Sequence, residues 1–186
     1  HRPVQGRVKT ITAKWENGRW YVILSCDEVP AEPLQPAGAT VGIDMGVTSF
    51  LTTSDGAHVP NPGHLAAAAG RLAAAQQDLT RKKRGSRRRK KAAAKVARLH
   101  GMVCRQRLDH AHKAALALVR GHDLIVHEKL QVTHMTVRPR PRPDGNGGHQ
   151  PNGAAAKSGL NKSIHDAGWA SSCASCPPRL KAPGGQ

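Results

Sequence analysis

One carboxylate, Asp44, lies inside a short apolar run at residues 41–46 that is rich in β-branched side chains. Such a run predicts a buried strand. A charge in a buried strand is costly unless it is paired, and a metal ion is the commonest functional partner. Gly42 and Gly46 carry no side chain, which leaves room for a backbone, a phosphate or an ion to approach. These residues fit an ion or phosphate site at Asp44, and they fit equally an aspartate that caps a tight turn at the strand end.

A second carboxylate, Glu128, ends another apolar run at residues 124–128, which predicts a central strand. Because a long helical segment separates the two runs, they form a βαβ arrangement, whose two strands are usually parallel. Sites in open α/β sheets form at the carboxyl ends of the strands, so we expect Asp44 and Glu128 to meet there. Two neighbouring carboxylates repel each other unless a cation such as Mg²⁺ lies between them. An ordinary salt bridge at the strand end is the alternative for Glu128.

The most basic stretch is residues 81–91, in which nine of eleven positions are cationic. These charges repel one another unless a polyanion neutralises them, and the predicted helix that follows carries more of them. A solvated surface or, in a eukaryote, a localisation signal is the alternative. We expect contact with nucleic acid through phosphates rather than base edges. The residues predicted to make this contact are Arg81, Lys82, Lys83, Arg84, Arg87, Arg88, Arg89, Lys90, Lys91, Lys95, Arg98 and Arg105.

The overall composition also favours a polyanionic partner. The 186 residues carry a formal net charge of +17, from 29 Lys and Arg against 12 Asp and Glu. Aromatic residues make up only 3% of the chain, so base stacking cannot be the main binding mode. Phosphate contacts should make the affinity fall steeply with salt. The sequence has no apolar run of membrane-spanning length and no signal peptide, which predicts a cytoplasmic protein with no membrane partner.

The elements that must position these residues begin with a β-hairpin. Asn17 and Gly18 between β-rich runs at residues 4–13 and 19–26 are a strong turn signal. Residues 31–39, rich in Pro and Ala, predict a linker after this first β segment, residues 1–30. The other predicted elements are strands at residues 47–53 and 57–59 and helices at residues 65–79 and about 87–119, the second with Ser86 as its N-cap.

The last part of the chain shows weaker patterns. Residues 138–159 are rich in Pro, Arg, Gly and Asn and predict a flexible loop, whereas residues 160–169 predict the start of a helix. Residues 170–186 have no apolar period and are expected to form an aberrant or disordered tail. Cys173 and Cys176 could supply half of a zinc site, but structural zinc needs four ligands and no histidine has a suitable spacing. Zinc binding is therefore not expected.

In their order along the chain, these pieces resemble the OrfB/TnpB family of insertion-sequence transposase-associated proteins, relatives of the type V CRISPR effector nucleases. The resemblance covers roughly residues 40–169. The matching blocks are residues 42–47 (Gly-Ile-Asp-Met-Gly-Val), the basic run with its Gly85-Ser86, residues 98–100 and 105–113 on the same helix, residues 125–130, Met135, and residues 160–169.

The resemblance implies an α/β fold with an RNase H-like, RuvC-type mixed sheet over residues 40–169, long basic helices inserted at residues 64–120, and a hairpin left from an N-terminal β domain. It implies a transposition-associated, RNA-guided DNA endonuclease of the bacterial or archaeal cytoplasm, near the nucleoid. DNA and a guide RNA are then the expected partners. Such enzymes bind two Mg²⁺ ions on three acidic residues, and Asp44 and Glu128 match the first two.

The resemblance also implies a third acidic residue, in a C-terminal part with a four-cysteine zinc ribbon that is not recognisable after Trp169. Asp166 belongs to a different block and is not a credible substitute. We therefore expect a truncated or frameshifted member that is weak or inactive as a nuclease on its own. The alternatives are a catalytically idle nucleic-acid-binding module, a basic structural or ribosome-associated protein, and a chain that never folds because a sheet edge stays uncovered. The oligomeric state stays open.

Overall fold

A computed structural model describes residues 3–30 and 33–168, which form two compact units. The first unit combines His1–Pro36 with Ala68–Cys104, and the second combines Ala37–Ala67 with Arg105–Gln186. The elements in chain order are β1 (Arg7–Glu16), β2 (Arg19–Asp27), β3 (Thr40–Asp44), β4 (Ser49–Thr53), β5 (His58–Pro60), α1 (His64–Thr80), α2 (Arg87–Gly121), β6 (Leu124–His127), α3 (Val132–Met135) and α4 (Ala154–Ala167).

The first unit begins with the antiparallel hairpin of β1 and β2. Asn17 and Gly18 both have positive φ, 52° and 80°, as a two-residue loop that matches the strand twist requires. Trp15 and Trp20 pair across the loop with ring centroids 5.3 Å apart. Both indoles nevertheless stay exposed, at 57% and 69% of their surface. The predicted hairpin and turn are confirmed, but the tryptophans pack mainly on each other.

The first unit also contains most of α1 and the first half of α2, which a short basic turn connects. Ala68, Leu72 and Ala75 share one face of α1 and are buried, as the helical period requires. Ser86 caps α2, because its Oγ accepts a hydrogen bond from the Arg89 backbone N–H at 3.1 Å. Both helices and the Ser86 cap were predicted from the sequence and are confirmed.

The second unit contains a four-stranded mixed sheet in the order β5-β4-β3-β6. β4 pairs antiparallel with both β3 and β5, whereas β6 pairs parallel with β3, as the βαβ prediction required. At the amino ends of these parallel strands, the Asp123 carboxylate accepts hydrogen bonds from the backbone N–H groups of Ala37 and Gly38, at 3.2 and 2.8 Å. This contact ties the entry into β3 to the entry into β6.

The structure corrects two expectations about these strands. β3 ends at Asp44 instead of continuing to residue 46, so the carboxylate lies at the strand end and is exposed rather than buried within the strand. Among residues 3–30 and 33–168, β6 lies at the edge of the sheet and not at its centre, and Leu124 and Val126 are 54% and 55% exposed. An apolar run signals burial in general, but the run alone does not show how many neighbours a strand has.

The core of the second unit lies between the sheet and the second half of α2. Val41 and Leu51 from the sheet and Ala111 and Leu118 from α2 are buried together with Phe50. Successive residues of a strand point to opposite faces, so the alternate positions of β3 face away from α2. This alternation decides on which side of the sheet Asp44 lies.

Within the second unit, Asp166 connects helix α4 to α1 and α2. Its carboxylate accepts hydrogen bonds from the backbone N–H groups of Leu65 and Ala66, at 2.8 and 3.1 Å, and so caps the N-terminus of α1 from a distant part of the chain. The Arg107 Nε of α2 donates to the Asp166 carbonyl oxygen at 2.8 Å and lies 3.8 Å from its Oδ1. One residue thereby connects three helices. The helix predicted from residue 160 begins earlier, at Ala154.

The His110 side chain of α2 is partly buried against the sheet. Its ring lies edge-on to Phe50, with the centroids 4.8 Å apart, and its Nε2 is buried without a hydrogen-bond partner among the described residues. Burial, and next the charge of His64, lower the pKa of His110, although a hydrogen bond to the Pro60 backbone opposes this change. The folded second unit therefore favours a neutral His110.

None of the helices within residues 3–30 and 33–168 has the length and apolar character that crossing a bilayer requires.

Replacement of Asp166 by Ala should lower the free energy of unfolding by about 1–2 kcal/mol, because the first turn of α1 loses its cap and Arg107 loses an acidic neighbour. The measurement is a urea unfolding curve. Asp109→Ala is the matched control, since it removes an exposed pair with Lys113 and should change the stability by less than about 0.5 kcal/mol. Equal losses in the two variants would contradict the capping role.

The stability of the second unit should decrease as the pH falls through about 6.5. The pKa of His110 lies below its ordinary value of 6.5 in the folded chain, so the unfolded chain takes up the proton more readily as the pH falls. His110→Phe should flatten this dependence, whereas His112→Gln, at an exposed neighbour, should leave it unchanged. Urea midpoints measured from about pH 5 to 7.5 give the test. An unaltered slope in His110→Phe would refute the assignment.

Candidate active site and nucleic-acid interface

Asp44 is the last residue of β3, and its neighbours explain how it is held. It pairs with Thr52 of the antiparallel β4 on one side. The residues before it, Val41 and Ile43, belong to the core under α2, so the strand is fixed by burial while its last residue reaches solvent. No ion pair within the described residues uses the Asp44 carboxylate. The Asp44 carboxylate is therefore anchored by its strand and accessible to solvent.

Glu128 follows β6 directly and is also exposed. The parallel register pairs Ile43 with His127, so Asp44 and Glu128 are the next residues along two hydrogen-bonded strands. Neighbouring strands lie about 4.8 Å apart, and residues level with each other in a parallel pair point to the same face. The strand register thus makes the two sequence-predicted acidic residues neighbours along the backbone at the carboxyl end of the sheet.

Two further polar residues lie in the same row and were not identified from the sequence. Thr52 pairs with Asp44 on β4, and His58 pairs with Thr52 on β5. Thr52 Oγ1 and His58 Nδ1 lie 3.1 Å apart. Only the strand register shows that they belong beside Asp44, because neither residue stands in a motif.

Helix α4 supports the loops that follow both carboxylates. Its buried residues Ile164 and Ala167 pack against Met45, which follows Asp44, and against Leu130, which follows Glu128 by two positions. Val47, Val132 and Met135 complete this apolar cluster. The ends of β3 and β6 therefore lie against the same apolar cluster, which restricts the distance between them.

The donor set at this sheet end fits a magnesium ion. Carboxylate oxygens are the ligands that Mg²⁺ prefers, and it commonly binds through one or two of them while keeping several waters. Asp44 and Glu128 are adjacent and exposed, and neither forms an ion pair with the part of the chain that the structure describes. Within that part, no group of three or more His, Cys, Asp or Glu side chains could hold a metal together. The site therefore offers two carboxylates and open positions.

The Asp166 carboxylate is used as the cap of α1. Its side chain is only 11% exposed. That Asp166 is no third metal ligand stays a prediction. Cys173 and Cys176 lie outside the described residues, so the zinc prediction stays a prediction.

Most cations of the basic run lie on the exposed surface of the first unit, but two have partners within the protein. Arg89 donates from Nη1 to the carbonyl oxygens of Leu79 and Lys82, both at 3.0 Å, and so satisfies the C-terminal end of α1. Lys82 pairs with Asp78 at 2.8 Å. The hydrogen bond from Lys82 lowers the pKa of Asp78, and the charges of Lys95 and Arg81 act in the same direction. Arg89 therefore has a structural role as well as the predicted one.

Four cations form a stripe along the first half of α2: Arg87, Lys91, Lys95 and Arg98 are spaced by four, four and three residues and are all exposed. This spacing puts them on one face of the helix, about 6 Å apart along its axis for a separation of four residues. We call these four residues the cationic stripe. Arg105, also predicted to bind nucleic acid, lies farther along α2 within the second unit. Contact with nucleic acid stays a prediction for all of these cations.

The fold and site thus define a mixed α/β protein with two carboxylates at the ends of parallel strands and a long, basic helical region. Residues 21–138 match the family OrfB_IS605, whose description is "Probable transposase". The chain belongs to the OrfB/TnpB family, and the resemblance found in the sequence is confirmed.

Two relatives carry more specific names. "Putative RNA-guided DNA endonuclease InsQ" of Escherichia coli (strain K12) is 33% identical over 168 residues, which cover 90% of this chain and 41% of that protein. "Putative RNA-guided DNA endonuclease" of Streptomyces pristinaespiralis is 43% identical over 118 residues, or 63% of this chain and 29% of that protein. The chain therefore spans less than half the length of these relatives.

A divalent cation should bind at the ends of β3 and β6. With Mn²⁺ as the probe, Asp44→Asn and Glu128→Gln should each weaken binding more than about tenfold, because each removes one of two charged ligands. Asp78→Asn is the control, since that carboxylate lies on α1 and is paired with Lys82. Electron paramagnetic resonance of free Mn²⁺ measures the affinity. Equal weakening by all three substitutions would argue against a defined site.

Proposed function

We propose that the chain is a nucleic-acid-binding part of an insertion-sequence protein and carries two of the carboxylates of a metal-dependent, RuvC-type DNA nuclease core. The observation that supports this most is the parallel register of β3 and β6, which makes Asp44 and Glu128 neighbours at a sheet end. The names of the two relatives favour DNA as the substrate and an RNA guide as a second partner.

The chemistry proposed for this site is phosphodiester hydrolysis. Mg²⁺ bound there would supply charge stabilisation to the scissile phosphate and activate water. Asp44 and Glu128 would hold the ion, while the apolar cluster around Ile164 keeps their strand ends at a fixed separation. Thr52 and His58, in the same row as Asp44, are placed to bind a phosphate oxygen or an attacking water.

Binding in this proposal rests on exposed cations. The cationic stripe offers four positive side chains in a row on one helix, and phosphate contacts of this kind position a strand without reading its sequence. Most of the charge lies in the first unit, whereas the carboxylates lie in the second. Binding and chemistry are therefore assigned to different parts of the chain and can be tested separately.

A catalytically idle nucleic-acid-binding module is the second candidate. It is favoured by the finding that residues 3–30 and 33–168 contain no cluster of three metal-binding side chains. The family resemblance implies three acidic residues for an active nuclease of this type. Asp44 and Glu128 match only two of them. We accordingly expect weak or no cleavage from this chain by itself, with binding retained.

A variant in which all four residues of the cationic stripe (Arg87, Lys91, Lys95 and Arg98) are replaced by Gln should show a weaker salt dependence of DNA binding. The slope of log affinity against log salt should fall by roughly three to four, about 0.7–0.9 for each phosphate that the variant no longer neutralises. The control changes Arg19, Lys113, Arg120 and Lys162 to Gln, which alters the net charge equally at other exposed positions. Fluorescence anisotropy over a salt series gives both slopes. Identical slopes in the two variants would reject the stripe as the binding surface.

Nicking of supercoiled plasmid in Mg²⁺ or Mn²⁺ separates the two candidate functions. Any cleavage by the chain should be abolished by Asp44→Asn and by Glu128→Gln, without loss of DNA affinity. Cleavage that survives both changes would contradict the assigned site. Binding with no cleavage in any metal would favour the idle module.

A further inference from the structure

Three arginines alternate with three prolines at residues 138–143, in the order Arg-Pro-Arg-Pro-Arg-Pro. This segment lies in the predicted flexible loop, and the structure gives it hydrogen-bond partners within that loop. The Arg142 carbonyl accepts from the Gln150 N–H at 2.8 Å, and Pro143 forms a bridge with His149. The Asn152 side chain donates to the Arg140 carbonyl at 3.0 Å. These contacts follow one antiparallel register, in which residues 140–143 run against residues 149–152.

We call residues 138–152 the arginine arm. The tip of the arm is closed by Asp144, whose Oδ1 accepts hydrogen bonds from the Asn146 and Gly148 backbone N–H groups, both at 2.8 Å. This use of the carboxylate inside the turn leaves the arginines without an acidic partner on their own segment. Within the described residues, no ion pair engages Arg138, Arg140 or Arg142.

The prolines stiffen the arm and spread its charges. Each arginine precedes a proline, which excludes the helical region for that arginine and favours extended backbone. Arg140 and Arg142 are two residues apart, so on extended backbone they lie about 6–7 Å apart along the chain. That distance is comparable to the separation of successive phosphates along an extended nucleic-acid strand. All three arginines are exposed.

The root of the arm lies at the carboxylate end of the sheet. Asn161 of α4 donates from Nδ2 to the Thr136 carbonyl at 2.8 Å, just before the arm begins. Met135, the preceding residue, packs in the apolar cluster that supports the loops after Asp44 and Glu128. The arm and the two carboxylates are therefore fixed to the same cluster within one unit.

From this arrangement we infer that Arg138, Arg140 and Arg142 bind the phosphates of the DNA strand that is presented to Asp44 and Glu128. The inference rests on the proposed function, since it assumes that a DNA strand enters the carboxylate site. Arg140 and Arg142 lie beyond the family match, which ends at residue 138, and the contact is separate from the cationic stripe on α2. Guanidinium groups suit this role because they bind phosphate oxygens through two parallel hydrogen bonds.

The first test is the salt dependence of binding to a single-stranded DNA oligonucleotide by the full chain. Changing Arg138, Arg140 and Arg142 to Gln should lower the slope of log affinity against log salt by about two, near 0.7 for each contact on a single strand. The matched control changes Lys113, Arg120 and Lys162 to Gln. The triple change to Lys should retain most of the slope, because the charges remain. A slope in the Gln variant equal to that of the control would overturn the proposal.

A second test asks whether the arm and the carboxylates hold the same strand. In EDTA, the double change Asp44→Asn and Glu128→Gln should raise the affinity for single-stranded DNA, because two negative charges beside the phosphates are removed. Combined with the arm Gln variant, that gain should become smaller, as expected for groups that act on one ligand. Strictly additive effects would show that the arm binds elsewhere and would overturn the inference.

These outcomes are separable from those of the proposed function. If the stripe variant loses binding while the arm variant behaves as its control, the arm proposal fails and the proposed function stands. If neither variant alters DNA binding, both fail. An effect of the arm on RNA of the same sequence, with none on DNA, would also refute a role in presenting DNA.

Discussion

The parallel pairing of β3 with β6 is the constraint on which the rest of the second unit depends. Strands of this type cannot be joined by a short turn, so the chain must leave the sheet through a long connection before it returns. Here the connection comprises β4, β5, α1 and α2, and its return is fixed at the amino end by Asp123 and along the strand by four register pairs. A shift by one residue would move Glu128 out of line with Asp44 and onto the other face.

Helix α4 stabilises the carboxyl ends of β3 and β6 by packing against the loops that follow them. Ile164 and Ala167 bury the loops after both carboxylates, while Asp166 of the same helix caps α1 and contacts Arg107. A carboxylate placed at a helix N-terminus satisfies backbone donors and also interacts favourably with the helix dipole. The helix therefore links the loops that follow Asp44 and Glu128 to the start of α1. Asp166 thus serves the scaffold, by its contacts with α1 and α2.

The distribution of charge follows from these packing demands. Acidic side chains are few, and several are used inside the protein: Asp123 at the strand entry, Asp144 in the turn of the arginine arm, and Asp166 at α1. Two cations also form hydrogen bonds with the backbone: Arg89 binds carbonyl oxygens at the end of α1, and Arg107 binds the Asp166 carbonyl oxygen. Most of the other cations within residues 3–30 and 33–168 lie on exposed surfaces. The excess of Lys and Arg over Asp and Glu is therefore not neutralised by the acidic side chains of the chain.

Local sequence signals determined several elements of the fold. Asn17-Gly18 specified the hairpin, because only such residues tolerate positive φ at both loop positions. Ser86 specified the start of α2, and the helical connection between two apolar runs specified a parallel pair with Asp44 and Glu128 at its carboxyl end. The ordered set of motifs was sufficient to indicate the family. Each of these signals acts over a few residues or through a general topological rule, so these features could be predicted from the sequence.

Other features depend on contacts between distant residues, which no local pattern encodes. The exposure of Asp44, the place of β6 at the sheet edge among the described residues, and the row that adds Thr52 and His58 all follow from strand register. The pairing of the arginine arm was hidden because its Pro- and Gly-rich composition resembles that of flexible loops. The sequence by itself indicated Asp44, Glu128 and the basic run as candidate residues and the elements on which they lie. The tertiary structure alone decided which of them share a face, because register and packing are set by burial across the whole unit.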